Sequence, residues 1–292
     1  MKQTLGEKIF GVFNALILAL IAILCLLPVY HVLCASVSDP AALSAHKGLV
    51  LHPLGGATLE GYGLIFQNSN LVRSYANTIF YVVTATMLGI VLTSMAAYVL
   101  SRSGLMLGGI LTFLIAFTML FSGGLIPTYM VVKNLHLVDT PWAVILPKCM
   151  SVFNIMIMRT SFKGLPDGLE EAARIDGAGP FRIFVSIVLP VSKAILAVVV
   201  LFYAVYHWNS WFNASIYLKD RKLYPLQLLL REIVIQNQTS SLEDFGDPGA
   251  MNLSRLLVKY GVIMVSILPM MVIYPFVQKY FVTGVMIGSI KG

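Results

Sequence analysis

The sequence predicts an all-α integral membrane protein with about six transmembrane helices, and three observations carry that prediction. Of the 292 residues, 58% are hydrophobic and only 11% are charged, against about 25% charged in soluble domains. A soluble core of this length has no room for so much apolar surface, so the solvent is lipid. Six apolar segments recur along the chain, at residues 9–33, 75–100, 107–131, 141–159, 191–216 and 256–281. Each is close to or above the roughly 20 residues that a helix needs to cross a bilayer core. All 13 acidic residues fall outside these segments.

The first segment follows Lys2 and Lys8 and is longer than the apolar core of a signal peptide, about 7–15 residues. It reads as a retained span, bent at Pro28. Residues 36–74 are polar and turn-rich, with Asp39-Pro40, Pro53 and Gly55-Gly56, and form an outer loop. The second span ends in a tight basic turn at 101–104. The third is interrupted by Ser122-Gly123-Gly124 and Pro127. Such breakers free backbone carbonyls, which are tolerated at membrane depth only against protein or a water-lined cavity.

A short outer loop, 133–139, leads to the fourth span, opened by Pro141 and holding Pro147, Lys148 and Asn154. Lys148 has two readings: an intramembrane functional group, or a side chain near the span's end that snorkels to the surface. The fifth span ends in Tyr206-His207-Trp208-Asn209-Ser210-Trp211-Phe212-Asn213, where an aromatic interface belt competes with a ligand-binding role. An extracellular loop at 217–255 contains an amphipathic piece, 226–235. The sixth span carries Pro269 and Pro275, and a cytoplasmic tail covers 283–292. The whole chain reads as one transmembrane domain.

An even number of spans puts both termini on one side. Lys2, Lys8, Arg102, Arg159, Lys163, Arg174, Arg182, Lys193, Lys279 and Lys291 flank that side closely, so it is the cytoplasmic one. The opposite side also carries basic residues, Lys219, Arg221 and Lys222 among them, many within the long loop, where charge steers topology less. The net charge of +7 is scattered among loops without a nucleic-acid motif, and suits lipid headgroups. Cys25, Cys34 and Cys149 are too dispersed for a disulfide framework or zinc site, and the five histidines lack metal-ligand spacing. No nucleotide-binding, metalloprotease or nucleophile-elbow motif is present. The chain therefore reads as non-catalytic, with its energy supplied by a partner and no cofactor of its own.

The organising stretch is residues 166–190. Four of the 13 acidic residues lie between Asp167 and Asp176, alongside Arg174. Asp167, with Glu170 three residues on, predicts a capped helix start. Gly177 and Gly179 end that helix, and Pro180 opens a second one that enters the membrane at Pro190. Glu171-Ala172-Ala173, three residues, Gly177, nine residues, Ile187, one residue and Leu189-Pro190 together resemble the EAA motif of permease subunits in bacterial ABC importers. Ala194 departs from the proline that many sugar permeases carry four residues after the motif's own. Asn154 with Arg159, Trp208-Asn209, Tyr224-Pro225-Leu226 and the ending Gly284-Val285-Met286-Ile287-Gly288-Ser289-Ile290-Lys291-Gly292 extend the likeness to the carbohydrate-uptake class. Polysaccharide-fragment permeases of Gram-positive bacteria are the most similar.

The resemblance implies a type I ABC importer permease (MetI-like) fold in a bacterial plasma membrane, importing oligosaccharides. It implies a heterodimer with a second, homologous permease subunit, a pair of cytoplasmic ATPases binding ATP and Mg, and an extracellular solute-binding lipoprotein. It makes Glu170, Glu171, Ala172, Ala173, Asp176 and Gly177 the ATPase-coupling residues. It places the tail residues Gly288, Ser289, Lys291 and Gly292 against the ATPases, and directs residues 236–254 towards the binding protein. Asn154, Tyr206, Trp208 and Asn209 are candidates for the sugar path. The alternatives are an ABC permease for a peptide or polyamine, and an integral membrane enzyme, for which no His, Asp or Ser constellation is visible.

Overall fold

The computed structural model describes residues 4–102, 104–235 and 256–275, and every regular element in it is helical. The elements are α1 (Leu5–Ser36), α2 (Pro40–Ala45), α3 (Glu60–Gln67), α4 (Ser69–Ser101), α5 (Gly108–Phe117), α6 (Leu125–Asn134), α7 (Pro141–Ile145), α8 (Val152–Lys163), α9 (Asp167–Ile175), α10 (Pro180–Ile183), α11 (Leu189–Val191), α12 (Lys193–Trp208), α13 (Phe212–Tyr217) and α14 (Leu226–Ile235). The last, α15, is Leu256–Pro275. Two compact units divide the chain: Met1–Val72 with Leu230–Leu268, and Arg73–Leu229 with Pro269–Gly292.

Three helices, α1, α4 and α15, are long and apolar enough to cross a membrane unbroken. Two further spans are bent pairs. One is Pro141–Lys148 with Val152–Lys163, bent by 47°, and the other is Pro180–Val191 with Lys193–Trp208, bent by 84°. The expected third span is two helices of 10 residues each, α5 and α6, on either side of Ser122-Gly123-Gly124. At 1.5 Å per residue each covers about 15 Å, half a bilayer core. Pro127 lies in the first turn of α6, where a missing N–H costs nothing, so it does not interrupt the helix.

In the first unit, Thr4 and Glu7 close a reciprocal capping box at the start of α1. Of the 32 residues in this helix only Cys34, Ala35 and Ser36 are buried. They pack with Leu43, Val50 and Leu257. The supposed outer loop is partly helical. Asp39 caps α2, and His31 Nδ1 accepts the Val50 N–H at 2.9 Å. Helices α3 and α15 approach closely through glycines: a Cβ on Gly61 would lie 2.9 Å from Leu257 Cβ, and one on Gly261 2.6 Å from Ile65 Cδ1. Small residues at such crossings are the usual means of packing membrane helices.

In the second unit, α4 is the central rod. Its Ala97, Tyr98 and Leu100 pack with Ile155, Met158 and Phe162 of α8, Ala173 of α9 and Tyr203 of α12. Further along α4, Tyr81 and Ala85 meet Val144, Ile145, Ala214 and Leu218. Two hydrogen bonds tie α4 to the chain before and at the start of α14. Thr78 Oγ1 accepts the Leu226 N–H at 2.8 Å, and Tyr81 Oη donates to the Leu223 carbonyl at 2.7 Å. Gly89 allows the carbonyl of Cys149 to press against α4. A Cβ there would lie 2.6 Å from that oxygen and 3.2 Å from the Tyr203 ring.

Asp139, outside the spans, fastens the α6–α7 connection to the chain after α13. Its Oδ1 accepts the N–H groups of Lys219 and Asp220 at 2.7 and 2.9 Å, and its own N–H donates to the Tyr217 carbonyl at 2.8 Å. The two backbone donors hold the Asp139 carboxyl below its ordinary value of 3.8.

Two expected outcomes follow from this packing. Gly89→Ala should lower the midpoint of thermal unfolding in detergent, with an overpacking cost of about 1–3 kcal/mol. At pH 7, Asp139→Ala should unfold at the lowest temperature, Asp139→Asn between it and the unaltered protein. A depressed carboxyl stabilises above its unfolded value and loses that contribution as pH falls through its folded value. The difference from Asp139→Asn should therefore shrink below about pH 4.

Candidate functional site

Helix α9 begins at Asp167, with Pro166 at the cap position and no side-chain cap. The expected Asp167 capping box is therefore not formed: Glu170, which would complete it, is 7% exposed and turned inward. It receives a hydrogen bond from Arg102 at the end of α4, and Arg174 Nη2 lies 3.9 Å away. Arg102 is itself held on several sides. Its Nη2 donates to the Phe162 carbonyl at 3.4 Å, its Nε donates to Ser101 Oγ at 3.0 Å, and its guanidinium carbon lies 4.7 Å from the Tyr98 ring centre. Beside it, Arg159 Nε donates to the Leu100 carbonyl at 2.9 Å.

The C-terminus of α9 closes in a Schellman motif. The Ala178 N–H donates to the Ala173 carbonyl at 2.9 Å and the Gly177 N–H to that of Arg174 at 3.0 Å, while Gly177 takes φ +77°. Pro180 opens α10, a π turn covers 184–188, and the chain turns through 84° at Ser192. Pro190 has no N–H for the carbonyl four residues back, which accounts for the loosened turn before it. The sequence placed the membrane entry at Pro190. The sharp change of direction comes two residues later.

Ala173 faces the core with Glu170, whereas Glu171, Ala172, Asp176 and Gly177 lie on the outer surface. Two large apolar side chains accompany them there, Ile175 at 86% exposure and Phe181 at 71%. The Arg102–Glu170 pair is invisible to sequence reasoning, because 68 residues separate its members.

A second site is a cavity of about 490 Å³ between α8, α12 and the break before α8. Pro147 sits in a 3-10 turn, and the chain regains helix only at Val152. Tyr203 Oη accepts the Ser151 N–H at 2.9 Å and lies 2.6 Å from Thr93 Oγ1. Of the four candidate sugar-path residues, Asn154 and Tyr206 line the cavity. Trp208 and Asn209 lie elsewhere. Trp208 is buried edge-on to Tyr75 at 5.8 Å, and exposed Asn209 bonds back to the Val205 carbonyl. Lys148, Ser151 and Thr118 join the lining. Residues 236–254 and the tail with Gly288, Ser289, Lys291 and Gly292 lie outside the described residues. Among those described, no group of His, Cys, Asp and Glu is placed to hold a metal ion.

Replacing Arg102 by Met should leave the Glu170 carboxylate short of its main partner. The expected cost is on the order of 2 kcal/mol, tempered by nearby Arg174. It should appear as faster proteolysis of the 164–179 segment. Arg102→Lys should fall between the two.

No family model matches the chain. It is 39% identical over 291 residues to the polygalacturonan/rhamnogalacturonan transport system permease protein YtcP of Bacillus subtilis, covering 98% of this chain and 99% of that protein. It is 37% identical to protein LplC of the same organism over 292 residues, covering 100% and 98%. The crystal structure of a bacterial ABC transporter involved in import of the acidic polysaccharide alginate contains a chain that superimposes with a TM-score of 0.87 at 31% identity, covering 96% of this chain and 99% of that one. An all-helical fold, the spacing of residues 171–190 and end-to-end likeness to these proteins agree: the chain belongs to the sugar-transport permease subunits of ABC importers.

Proposed function

We propose that this chain is a membrane-spanning subunit of a binding-protein-dependent importer that carries oligosaccharides, as polysaccharide fragments, into the cell. The observation that carries the reading is helix α9. It is clamped from within by Arg102 and Glu170, it presents Glu171, Ala172 and Ile175 outward, and Phe181 of the following α10 is exposed as well. A short helix fixed to the core and bare on its outer face suits docking into a groove on another protein. Exposed apolar anchors beside charge are what such an interface uses.

In this reading α9 docks on a cytoplasmic ATPase that holds ATP and Mg. Closure of the ATPase pair moves the groove, and the rigid mount passes that motion to α4 and α8. The spans then exchange inward-facing and outward-facing states, a population shift driven by differential affinity. Both termini lie on the cytoplasmic side, as the basic residues around the acidic loop favour. A second permease subunit completes the pathway, and an external binding protein delivers the sugar. The residue types of the cavity suit a saccharide: Asn154 and Tyr206 offer hydrogen bonds, and Phe202 offers an aromatic face. The tail and residues 236–254 keep their proposed places beside the ATPases and the binding protein.

The test is co-purification and uptake in cells expressing the full set of subunits. Ile175→Asp should weaken ATPase capture by about tenfold or more, as hot-spot changes do. Gly177→Pro should abolish coupling, since proline cannot adopt φ +77°. Glu171→Lys should reduce both readouts. Normal assembly and uptake in all three variants would overturn the docking role.

A further inference from the structure

The cavity beside α8 contains a charge that the chain does not balance. Among the described residues Lys148 is its only cationic lining residue, and no Asp or Glu lines it. The ion pairs among those residues are Arg102–Glu170 and Arg174–Glu170, so Lys148 has no carboxylate partner there. Its place in the chain is fixed. It ends the 3-10 turn that Pro147 imposes. Next to it, the carbonyl of Cys149 is wedged against Gly89. Lys148 therefore stands on a braced segment at the edge of a space of about 490 Å³, within the size range of small-ligand sites.

Lys148 is exposed, so it needs no counter-charge for its own stability, and its ammonium can meet an anionic group in the space beside it. Asn154, Ser151, Tyr206 and Thr118 supply uncharged hydrogen-bonding groups around the same space, and Phe202 an aromatic face. That set matches a saccharide with hydroxyl groups and one anionic substituent. A neutral sugar uses everything in the cavity except the charge.

We propose that Lys148 recognises the carboxylate of an acidic oligosaccharide in this cavity, and so makes the permease itself selective for uronate-containing fragments. This rests on the reading of the chain as an oligosaccharide importer. Lys148 acts as a point charge with rotatable donors, so it selects for the charge of the sugar without fixing a single orientation.

The experiment uses cells expressing the complete transporter, supplied with radiolabelled trigalacturonate or with maltotriose as a neutral trisaccharide. Unaltered cells are expected to take up trigalacturonate. Lys148→Gln should lower that uptake by about tenfold or more, mainly through a higher KM, as loss of a charge-assisted hydrogen bond predicts. Lys148→Arg should retain uptake within about threefold. Maltotriose uptake, where it occurs, should be the same with Gln and Lys. Wild-type trigalacturonate uptake by Lys148→Gln would overturn the proposal. So would an equal loss in the Gln and Arg variants, or loss of subunit co-purification in both, since either assigns Lys148 to structure or to lipid contact. Uptake of maltotriose but not trigalacturonate by unaltered cells would overturn this inference and leave the import reading standing. Uptake of neither would overturn both.

Discussion

The Arg102–Glu170 pair is the interaction on which the acidic loop depends. Glu170 is almost fully buried, and a buried carboxylate without a partner is strongly destabilising. Arg102 meets that need from the end of α4 while also holding the Phe162 carbonyl at the end of α8. One guanidinium thus ties three helices together, and Tyr98 covers it from the apolar side. The planar fork of arginine is what allows these simultaneous contacts. Without the pair, α9 has nine residues and no side-chain cap, too little to be helical on its own.

A second constraint comes from the broken helices. In lipid every backbone polar group needs an internal partner, so each break must be satisfied locally. The break before α8 is met by Tyr203, whose hydroxyl accepts the Ser151 N–H and pairs with Thr93 of α4. Gly89 permits the approach of Cys149. The same break that needs these supports opens the cavity, since a continuous helix from 141 to 163 would fill that space with its own side chains. Irregular backbone in a membrane protein is tolerated where it meets protein or lines a cavity, and both conditions hold here.

Helix α1 shows the opposite regime. It is regular over 32 residues, internally hydrogen-bonded, and buried only in its last turn. Its apolar side chains need no protein neighbour, because lipid is as good a solvent for them as a core. Helix α1 is thus free to stand in lipid, whereas the break before α8 is braced.

The sequence by itself determined the helical class, the positions of the apolar segments, the Gly177 turn and the family. Hydropathy, backbone breakers and motif spacing are local properties, written within windows of about 20 residues. It also marked Asn154 and Tyr206 as polar and aromatic groups in apolar surroundings. Only the tertiary structure decided that Glu170 faces inward while Glu171 faces out, that Asp167 begins its helix uncapped, and that Lys148 joins Asn154 and Tyr206 around one cavity while Trp208 and Asn209 do not. Each of these depends on a partner from a distant part of the chain: Arg102 for Glu170, Tyr203 for the break at Ser151, Tyr75 for Trp208. Charge and burial are settled between helices, and no window of sequence contains both sides of such a contact.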